Sequence, residues 1–262
     1  MRREAGTMVV AGRGLEFVWL GPRPDEAATM VLLHEGLGCV SMWRDFPDRL
    51  AERTGLGVLV YSRAGYGRSD PAVLPRPLSY MHDEAIDVLP AILDHWALRS
   101  VFTVGHSDGG SIAAIHAGAT RDPRLRGLVL MAPHFFVEPM GIDSIARAKV
   151  AYETTDLRER LARHHGDNVD CAFRGWNDAW LDPGFRDWTI EAYPPRIEVP
   201  VLVLQGTQDE YGSALQLEAA RRLCGGPVET KLFESCGHSA HRDRPEETLA
   251  AIAAFTAFTA NG

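Results

Sequence analysis

The chain has 262 residues, of which 45% are hydrophobic and 24% charged, a composition that excludes a disordered or fibrous architecture. This length accommodates one large core in an α/β fold. The formal net charge of −8, with no long basic run, disfavours nucleic acid and anionic membranes as partners.

The cysteines and the amino terminus predict the compartment. Four scattered cysteines, none in a Cys-x-x-Cys pair, indicate free thiols in a reducing environment rather than a disulfide framework or a zinc site. Residues 1–14 contain no apolar stretch suited to a signal peptide, and no long apolar run predicts a transmembrane helix. We therefore expect a cytoplasmic protein without a bound metal.

Short apolar runs alternate with helix-length segments, which is typical of a largely parallel sheet covered by helices. The first two runs flank Gly12-Arg13-Gly14 and predict a hairpin. Because most runs are continuous in Val and Leu, we predict burial on both faces and an α/β fold with a mostly parallel eight-stranded sheet and helices on both sides. The predicted strands are Met8–Val10, Leu15–Leu20, Met30–His34, Gly57–Tyr61, Val101–Gly105, Gly127–Met131, Val201–Gln205 and Val228–Phe233.

In most segments between these strands, apolar residues recur at helical intervals. Pro245 before Glu246-Glu247 is typical of a helix start. From Pro133 to about Pro195 there is no strand-like run, and a structureless loop of that length is improbable, so we predict a helical lid there. The expected organisation is a core over 1–132, a cap over 133–195 and the second part of the core over 196–262. The other predicted helices are Met42–Thr54, Tyr80–Trp96, Ser107–Ala119, Ala214–Leu223 and Pro245–Phe258.

A serine follows the fifth predicted strand, in the run Gly-His-Ser-Asp-Gly over Gly105–Gly109. A strand leads into Ser107 and an Ala- and Ile-rich helix follows, which is typical of a sharp, strained turn that exposes a nucleophile at the carboxyl end of a sheet. The flanking glycines are needed because side chains there would collide with backbone. We predict that Ser107 is the nucleophile and that His106 is a packed residue of the turn. The alternative is a tight strand–helix turn without chemistry.

A serine hydroxyl needs a base, and the base needs an acid that orients it. Asp209 follows the seventh predicted strand and His238 follows the eighth, so both are expected in loops at the carboxyl edge of the sheet. Glu210 and His241 lie nearby in the sequence and are alternatives. Their positions favour Asp209 as the acid and His238 as the base.

Two backbone N–H groups are predicted to form the oxyanion hole. One belongs to Asp108, the residue after the nucleophile. The other is expected in the glycine-rich run His34–Gly38, where a backbone N–H can approach the substrate without a Cβ in the way. Gly36 is the first choice and Leu37 the second, while His34 is interpreted as a residue that stabilises the loop.

Together these segments resemble the α/β-hydrolase superfamily. The likeness covers nearly the whole chain, from the His34–Gly38 loop and Ser62–Ser69 through the serine turn and the acid loop to Gly237-His238. It implies acyl-transfer chemistry without a cofactor. Glu35 is a departure, since many members have glycine there. The dehalogenases and epoxide hydrolases of the superfamily use an aspartate nucleophile, and Ser107 argues against both.

Asp108, the residue after the serine, bears on the substrate class. The run Ser-Asp-Gly-Gly is similar to that of valacyclovir hydrolase, a relative that cleaves α-amino acid esters. This resemblance implies that Asp108 pairs with a substrate amine, with Glu35 adding to the negative field. The alternative is that Asp108 provides a favourable charge at the start of the following helix.

Two lid tryptophans, Trp176 and Trp180, are four residues apart and share one helical face. They either line an aromatic or acyl pocket, with Arg174 available for a substrate carboxylate, or pack the lid onto the core. The adjacent histidines His164-His165 do not share a helical face, so we interpret them as a lid turn rather than a metal site.

The leading hypothesis is a serine hydrolase of a small carboxylic ester or thioester, with an α-amino acid ester as a specific case. A carbon–carbon bond hydrolase of a vinylogous keto acid would use the same three residues and is distinguished by a lid arginine that faces the substrate. A ligand receptor on the same fold is the non-catalytic alternative. The expected partner is a small-molecule substrate, and no cofactor is expected. The sequence does not predict the oligomeric state.

Overall fold

The computed structural model describes residues 1–260 and confirms the predicted eight-stranded, mostly parallel sheet. Its spatial order is β1-β2-β4-β3-β5-β6-β7-β8, in which β2 is antiparallel to both of its neighbours and all other pairs are parallel. The strands are β1 (Arg3–Val10), β2 (Arg13–Leu20), β3 (Thr29–Leu33), β4 (Gly57–Tyr61), β5 (Val101–His106), β6 (Leu125–Met131), β7 (Val201–Gly206) and β8 (Val228–Phe233).

The helices follow the predicted segments with local differences. A π-helical turn, Glu84–Val88, divides the helix predicted over Tyr80–Trp96, because Pro90 has no N–H to donate to the regular α pattern. The helices are α1 (Phe46–Thr54), α2 (Tyr80–Asp83), α3 (Leu89–His95), α4 (Asp108–Thr120), α5 (Pro139–Thr154), α6 (Leu157–His165), α7 (Val169–Leu181), α8 (Ala214–Leu223), α9 (Ala240–Asp243) and α10 (Pro245–Ala260).

β1 begins five residues earlier than the sequence indicated. Its first five residues are exposed, so no apolar residue marked the start, and pairing with the whole of β2 from Arg3 opposite Leu20 holds them in the strand.

Alternate residues of the central strands face two separate hydrophobic clusters. In β6, Leu128 and Leu130 pack on the face covered by α4, whereas Val129 and Met131 pack on the face covered by α1 and α10. Both faces of these parallel strands are therefore buried, which explains their continuous apolar sequence.

The segment between β6 and β7 contains α5, α6 and α7 and lies over the carboxyl ends of the strands. His165 of this segment accepts a hydrogen bond from the Gly67 N–H at Nδ1 (3.0 Å), and its Nε2 is 2.9 Å from the carbonyl oxygen of Leu37. The boundaries of the cap at 133–195 stay a prediction. Within residues 1–260 there is no helix with the length and hydropathy that a membrane span needs.

Candidate active site

Ser107 stands at the turn between β5 and α4, with φ 54° and ψ −120°. A Cβ on Gly105 would lie 2.2 Å from the carbonyl oxygen of Gly109, and a Cβ on Gly109 would lie 2.0 Å from that of Leu33. The turn therefore requires glycine at both positions. The strained backbone directs a buried hydroxyl to the carboxyl edge of the sheet.

The structure brings His238 to Asp209. His238 Nδ1 lies 2.9 Å from each carboxylate oxygen of Asp209, and the same carboxylate accepts hydrogen bonds from the Tyr211 N–H (2.8 Å) and from Gln205 Nε2 (2.7 Å). Burial opposes the charged form of both groups, but their mutual attraction prevails. It raises the pKa of His238 and lowers the pKa of Asp209 relative to their ordinary values. The ring is thereby oriented and made a stronger base.

The two alternatives in the same loops are placed elsewhere. Glu210 is exposed, and its backbone carbonyl accepts a hydrogen bond from Ser144 Oγ. His241 is buried against Trp43, with ring centroids 4.9 Å apart, and burial holds its pKa well below the ordinary value.

A histidine that the sequence reasoning did not select lies next to the nucleophile. His134, in the loop after β6, places Nε2 3.3 Å from Ser107 Oγ. Its ring lies 5.9 Å from the His238 ring, centroid to centroid, and the two ring planes are inclined by 29°. His134 is therefore the imidazole in contact with the Ser107 hydroxyl, and His238 lines the same cavity.

The His34–Gly38 loop is held in place by Arg63, which is fully buried. Its guanidinium donates to the carbonyl oxygens of His34 (2.6 Å) and Glu35 (3.2 Å), and its backbone N–H donates to His34 Nε2 (3.1 Å). Within residues 1–260, the backbone N–H groups of Gly36 and Asp108, which are the predicted oxyanion donors, have no hydrogen-bond partner.

The carboxylate of Asp108 points away from the cavity beside Ser107. It is fully buried, accepts a hydrogen bond from the Tyr80 hydroxyl (2.5 Å) and lies 3.9 Å from the Arg63 guanidinium. Burial raises the pKa of Asp108 despite the positive charge of Arg63. The side chain is not part of the cavity lining, so this geometry does not support the expectation that Asp108 binds a substrate amine. Its place at the start of α4, with an internal cation, fits the alternative.

Glu35 does border the cavity, but its charge is compensated. One carboxylate oxygen lies 3.4 Å from His106 Nδ1 and the other 3.8 Å from the Arg242 guanidinium. Burial would raise the pKa of Glu35, yet these neighbours hold it well below its ordinary value. His106 Nε2 lies 2.8 Å from the carbonyl oxygen of His238, so Glu35 and His106 support the loop that carries His238.

A cavity of about 160 Å³ opens beside Ser107. Trp176 and Trp180 both border it. Trp176 also packs directly over Gly36, where a Cβ would lie 2.2 Å from its indole, and Trp180 Nε1 donates to the Tyr80 hydroxyl (3.0 Å). The lining consists mainly of apolar and aromatic side chains and comprises Glu35, Gly36, Leu37, Ser107, His134, Gly141, Ile145, Trp176, Trp180, Tyr211 and His238.

Arg174, the lid arginine considered for a substrate carboxylate, is exposed and lies in a different surface hollow, beside Asp170 and Asp178. Among the described residues, the lining of the Ser107 cavity contains no arginine or lysine. The feature that would indicate a carbon–carbon bond hydrolase is therefore missing from this lining.

Three residues of the site were missed by sequence reasoning. Arg63 lies in the Ser62–Ser69 segment, which entered the sequence analysis only as part of the likeness to the superfamily, and Tyr80 resembles any buried aromatic residue at a helix start. His134 carried a usable signal, because it follows the strand next to β5 and so emerges at the same edge of the sheet as the nucleophile.

Residues 30–252 match the model of a family described as "Alpha/beta hydrolase family". The proline iminopeptidase of Lactobacillus helveticus (strain DPC 4571) is 23% identical and is aligned over 94% of this chain and 95% of its own length. Lipase LipV of Mycobacterium tuberculosis is 24% identical over 87% of this chain and 93% of its own. Among solved structures, naproxen esterase (carboxylesterase NP) from Bacillus subtilis superposes with a TM-score of 0.74 at 16% identity, covering 97% of this chain and 92% of the esterase. At this identity the structural likeness shows the fold alone.

Proposed function

Because this chain belongs to the alpha/beta hydrolase family, we propose that it is a serine hydrolase that cleaves small carboxylic esters or thioesters through an acyl-enzyme on Ser107. One observation carries the proposal. Ser107 projects from a strained turn into a cavity that it shares with His238, and the His238 imidazole is hydrogen bonded to Asp209. Nucleophile, base and orienting acid are thus supplied by loops that follow three parallel strands.

The proposed reaction has two balanced halves. Ser107 Oγ bonds to the substrate carbonyl carbon while its proton passes to His238 Nε2, and the N–H groups of Gly36 and Asp108 stabilise the tetrahedral oxyanion. Collapse breaks the bond to the leaving alcohol or thiol, which takes the proton from His238. Water then repeats the sequence against the acyl-enzyme and releases the carboxylic acid.

His238 is assigned as the base rather than His134 because their surroundings differ. The Asp209 carboxylate raises the pKa of His238, which suits a group that must accept a proton near neutral pH. Burial, together with the neighbouring His238, lowers the pKa of His134 to about 3. A group with that pKa does not hold a proton at neutral pH.

The cavity favours a compact, apolar acyl group. Leu37, Ile145 and the two lid tryptophans provide apolar walls, and a volume of about 160 Å³ is close to that of a cavity that holds benzene. We expect acyl groups of butyrate or benzoate size to fit, and long-chain acyl groups to require displacement of the lid.

A substrate amine is not required by this proposal. Asp108 is engaged with Tyr80 and Arg63, and Glu35 is paired with His106 and Arg242, so neither carboxylate is free to hold an ammonium group. Since relatives named proline iminopeptidases match most of the chain, an N-terminal proline amide belongs among the test substrates.

The test is a panel of p-nitrophenyl esters, thioesters and prolyl p-nitroanilide, measured as kcat/KM for the wild type and Ser107→Ala. We expect the butyrate ester to exceed the palmitate ester by at least 100-fold, with loss of all hydrolysis in Ser107→Ala. N-acetylation of an amino-acid ester should change kcat/KM by less than about threefold. Prolyl p-nitroanilide as the best substrate, or activity that persists in Ser107→Ala, would contradict the proposal.

A further inference from the structure

His134 is fixed in place by contacts that lead back to the nucleophile. Ser111, one helical turn after Ser107 on α4, donates to the His134 carbonyl oxygen (2.7 Å) and accepts from the His134 N–H (3.1 Å). The ring is further held edge-on against Trp180, with centroids 5.1 Å apart.

The chain bends sharply to bring His134 to this position. Ala132, directly after β6, has a φ of 47°, a conformation that is costly for a residue with a Cβ. Strain of this kind persists only where the surroundings enforce it, and here it turns the loop after β6 toward the end of β5. The result is an imidazole 3.3 Å from Ser107 Oγ.

His134 and His238 both line the cavity at Ser107, and they differ in one respect that matters for catalysis. His238 has an anionic partner at Nδ1, whereas the charged or titratable groups that act on His134 are His238, Asp209 and His106 at longer range. Burial dominates at His134 and keeps its ring neutral. In the tautomer that carries its proton on Nε2, the neutral ring donates to Ser107 Oγ and leaves the hydroxyl proton for His238.

We propose that His134 is a positioning residue whose imidazole holds the Ser107 hydroxyl in place while His238 takes the proton. This inference rests on the proposed serine hydrolase function and extends it. It separates the positioning of Oγ from the acceptance of its proton and assigns the two tasks to two histidines.

Side-chain length provides the test. The terminal amide of Gln reaches the position of histidine Nε2, whereas that of Asn reaches only about as far as Nδ1. We expect kcat of His134→Leu and His134→Asn to fall by about 10- to 100-fold with KM changed less than threefold, as for the loss of one hydrogen bond. His134→Gln should recover to within about fivefold of wild type. The lower inflection of kcat/KM against pH should stay in place in all three variants, because it reports His238.

A matched control is His116→Leu, which removes a buried histidine of α4 that contacts the Ala85 carbonyl oxygen far from the cavity; it should keep wild-type kcat. Equal activity of the Asn and Gln variants would overturn the proposal, as would unchanged kcat in His134→Leu or a shifted lower inflection.

Nuclear magnetic resonance of the histidine side chains decides the inference independently of turnover. His134 should remain neutral from pH 8 down to pH 4, and its Nε2 signal should shift in Ser107→Ala. Titration of His134 near pH 6.5, or an Nε2 signal unaffected by Ser107→Ala, would overturn the assignment. If the wild type hydrolyses no substrate while these signals behave as expected, the proposed function fails and the Ser107–His134 contact stands.

Discussion

Arg63 links the His34–Gly38 loop to the serine turn, and its removal takes away the cation that lies 3.9 Å from the buried carboxylate of Asp108. In Arg63→Met the side-chain volume is largely kept, but the Asp108 carboxylate loses the guanidinium 3.9 Å away and keeps the hydrogen bond from the Tyr80 hydroxyl. Loss of one member of a buried ion pair costs about 3–5 kcal/mol. We expect the free energy of unfolding at pH 8 to fall by that amount.

Substitution of Asp108, the partner of Arg63, tests whether this loss of stability comes from their interaction. Asp108→Asn in the Arg63→Met background removes the stranded charge, so the double variant should be about 1–3 kcal/mol more stable than the sum of the two single losses predicts. Arg68→Met changes an exposed arginine in the same segment and should stay within about 0.5 kcal/mol of wild type.

The sign of the pH dependence follows from Asp108. Its pKa is already raised by burial and rises further when the positive charge of Arg63 is lost. A carboxyl group whose pKa is higher in the folded than in the unfolded state binds more protons when folded, so its destabilising effect shrinks as the pH falls. The deficit of Arg63→Met should therefore be smaller at pH 5 than at pH 8.

The assay is reversible urea unfolding followed by tryptophan fluorescence at both pH values, for wild type, the two single variants, the double variant and Arg68→Met. The reasoning would be refuted if the losses in free energy of unfolding of the two single variants added up to that of the double variant within about 0.5 kcal/mol and the loss in Arg63→Met were equal at pH 5 and pH 8. Arg63 would then act on the loop carbonyls alone.

Two further outcomes are expected. Asp209→Asn should reduce kcat by about 10³- to 10⁴-fold, because the amide no longer enforces the required tautomer of His238. The lower inflection of the pH–rate profile should also move to lower pH, because the pKa of His238 falls without the carboxylate. An unmoved inflection would show that Asp209 does not govern it. Gly105→Ala should lower Tm by roughly 10 °C, which corresponds to a loss of about 3 kcal/mol in the free energy of unfolding, because its Cβ would lie 2.2 Å from the backbone oxygen of Gly109. The control Gly6→Ala should change Tm little, because its Cβ meets only the Phe17 side chain, at 3.4 Å. Equal thermal shifts would contradict the steric argument.

The sheet was predictable because its strands carry their own burial signal. β4 and β7 are buried along their whole length between turn residues, and their predicted bounds agree with the structure to within one residue. The exposed start of β1 was not predictable, because pairing with β2 rather than hydrophobicity holds it.

The elements of the site were predictable to different degrees. The expected pairing of Asp209 with His238 follows from adjacent parallel strands, whose loops meet at one edge. The surroundings of Asp108 were not predictable, since Tyr80 and Arg63 approach it from distant parts of the sequence. A side chain's partners depend on packing that no local pattern records, and this is why the amine hypothesis looked as reasonable as its alternative.

The central claim, an acyl-enzyme on Ser107, is tested most directly by mass spectrometry of the intact protein after incubation with a fluorophosphonate, followed by peptide mapping. The account predicts one adduct per chain, located on Ser107, and no adduct in Ser107→Ala. A folded wild-type protein that remains unlabelled, or an adduct that persists in Ser107→Ala, would contradict it.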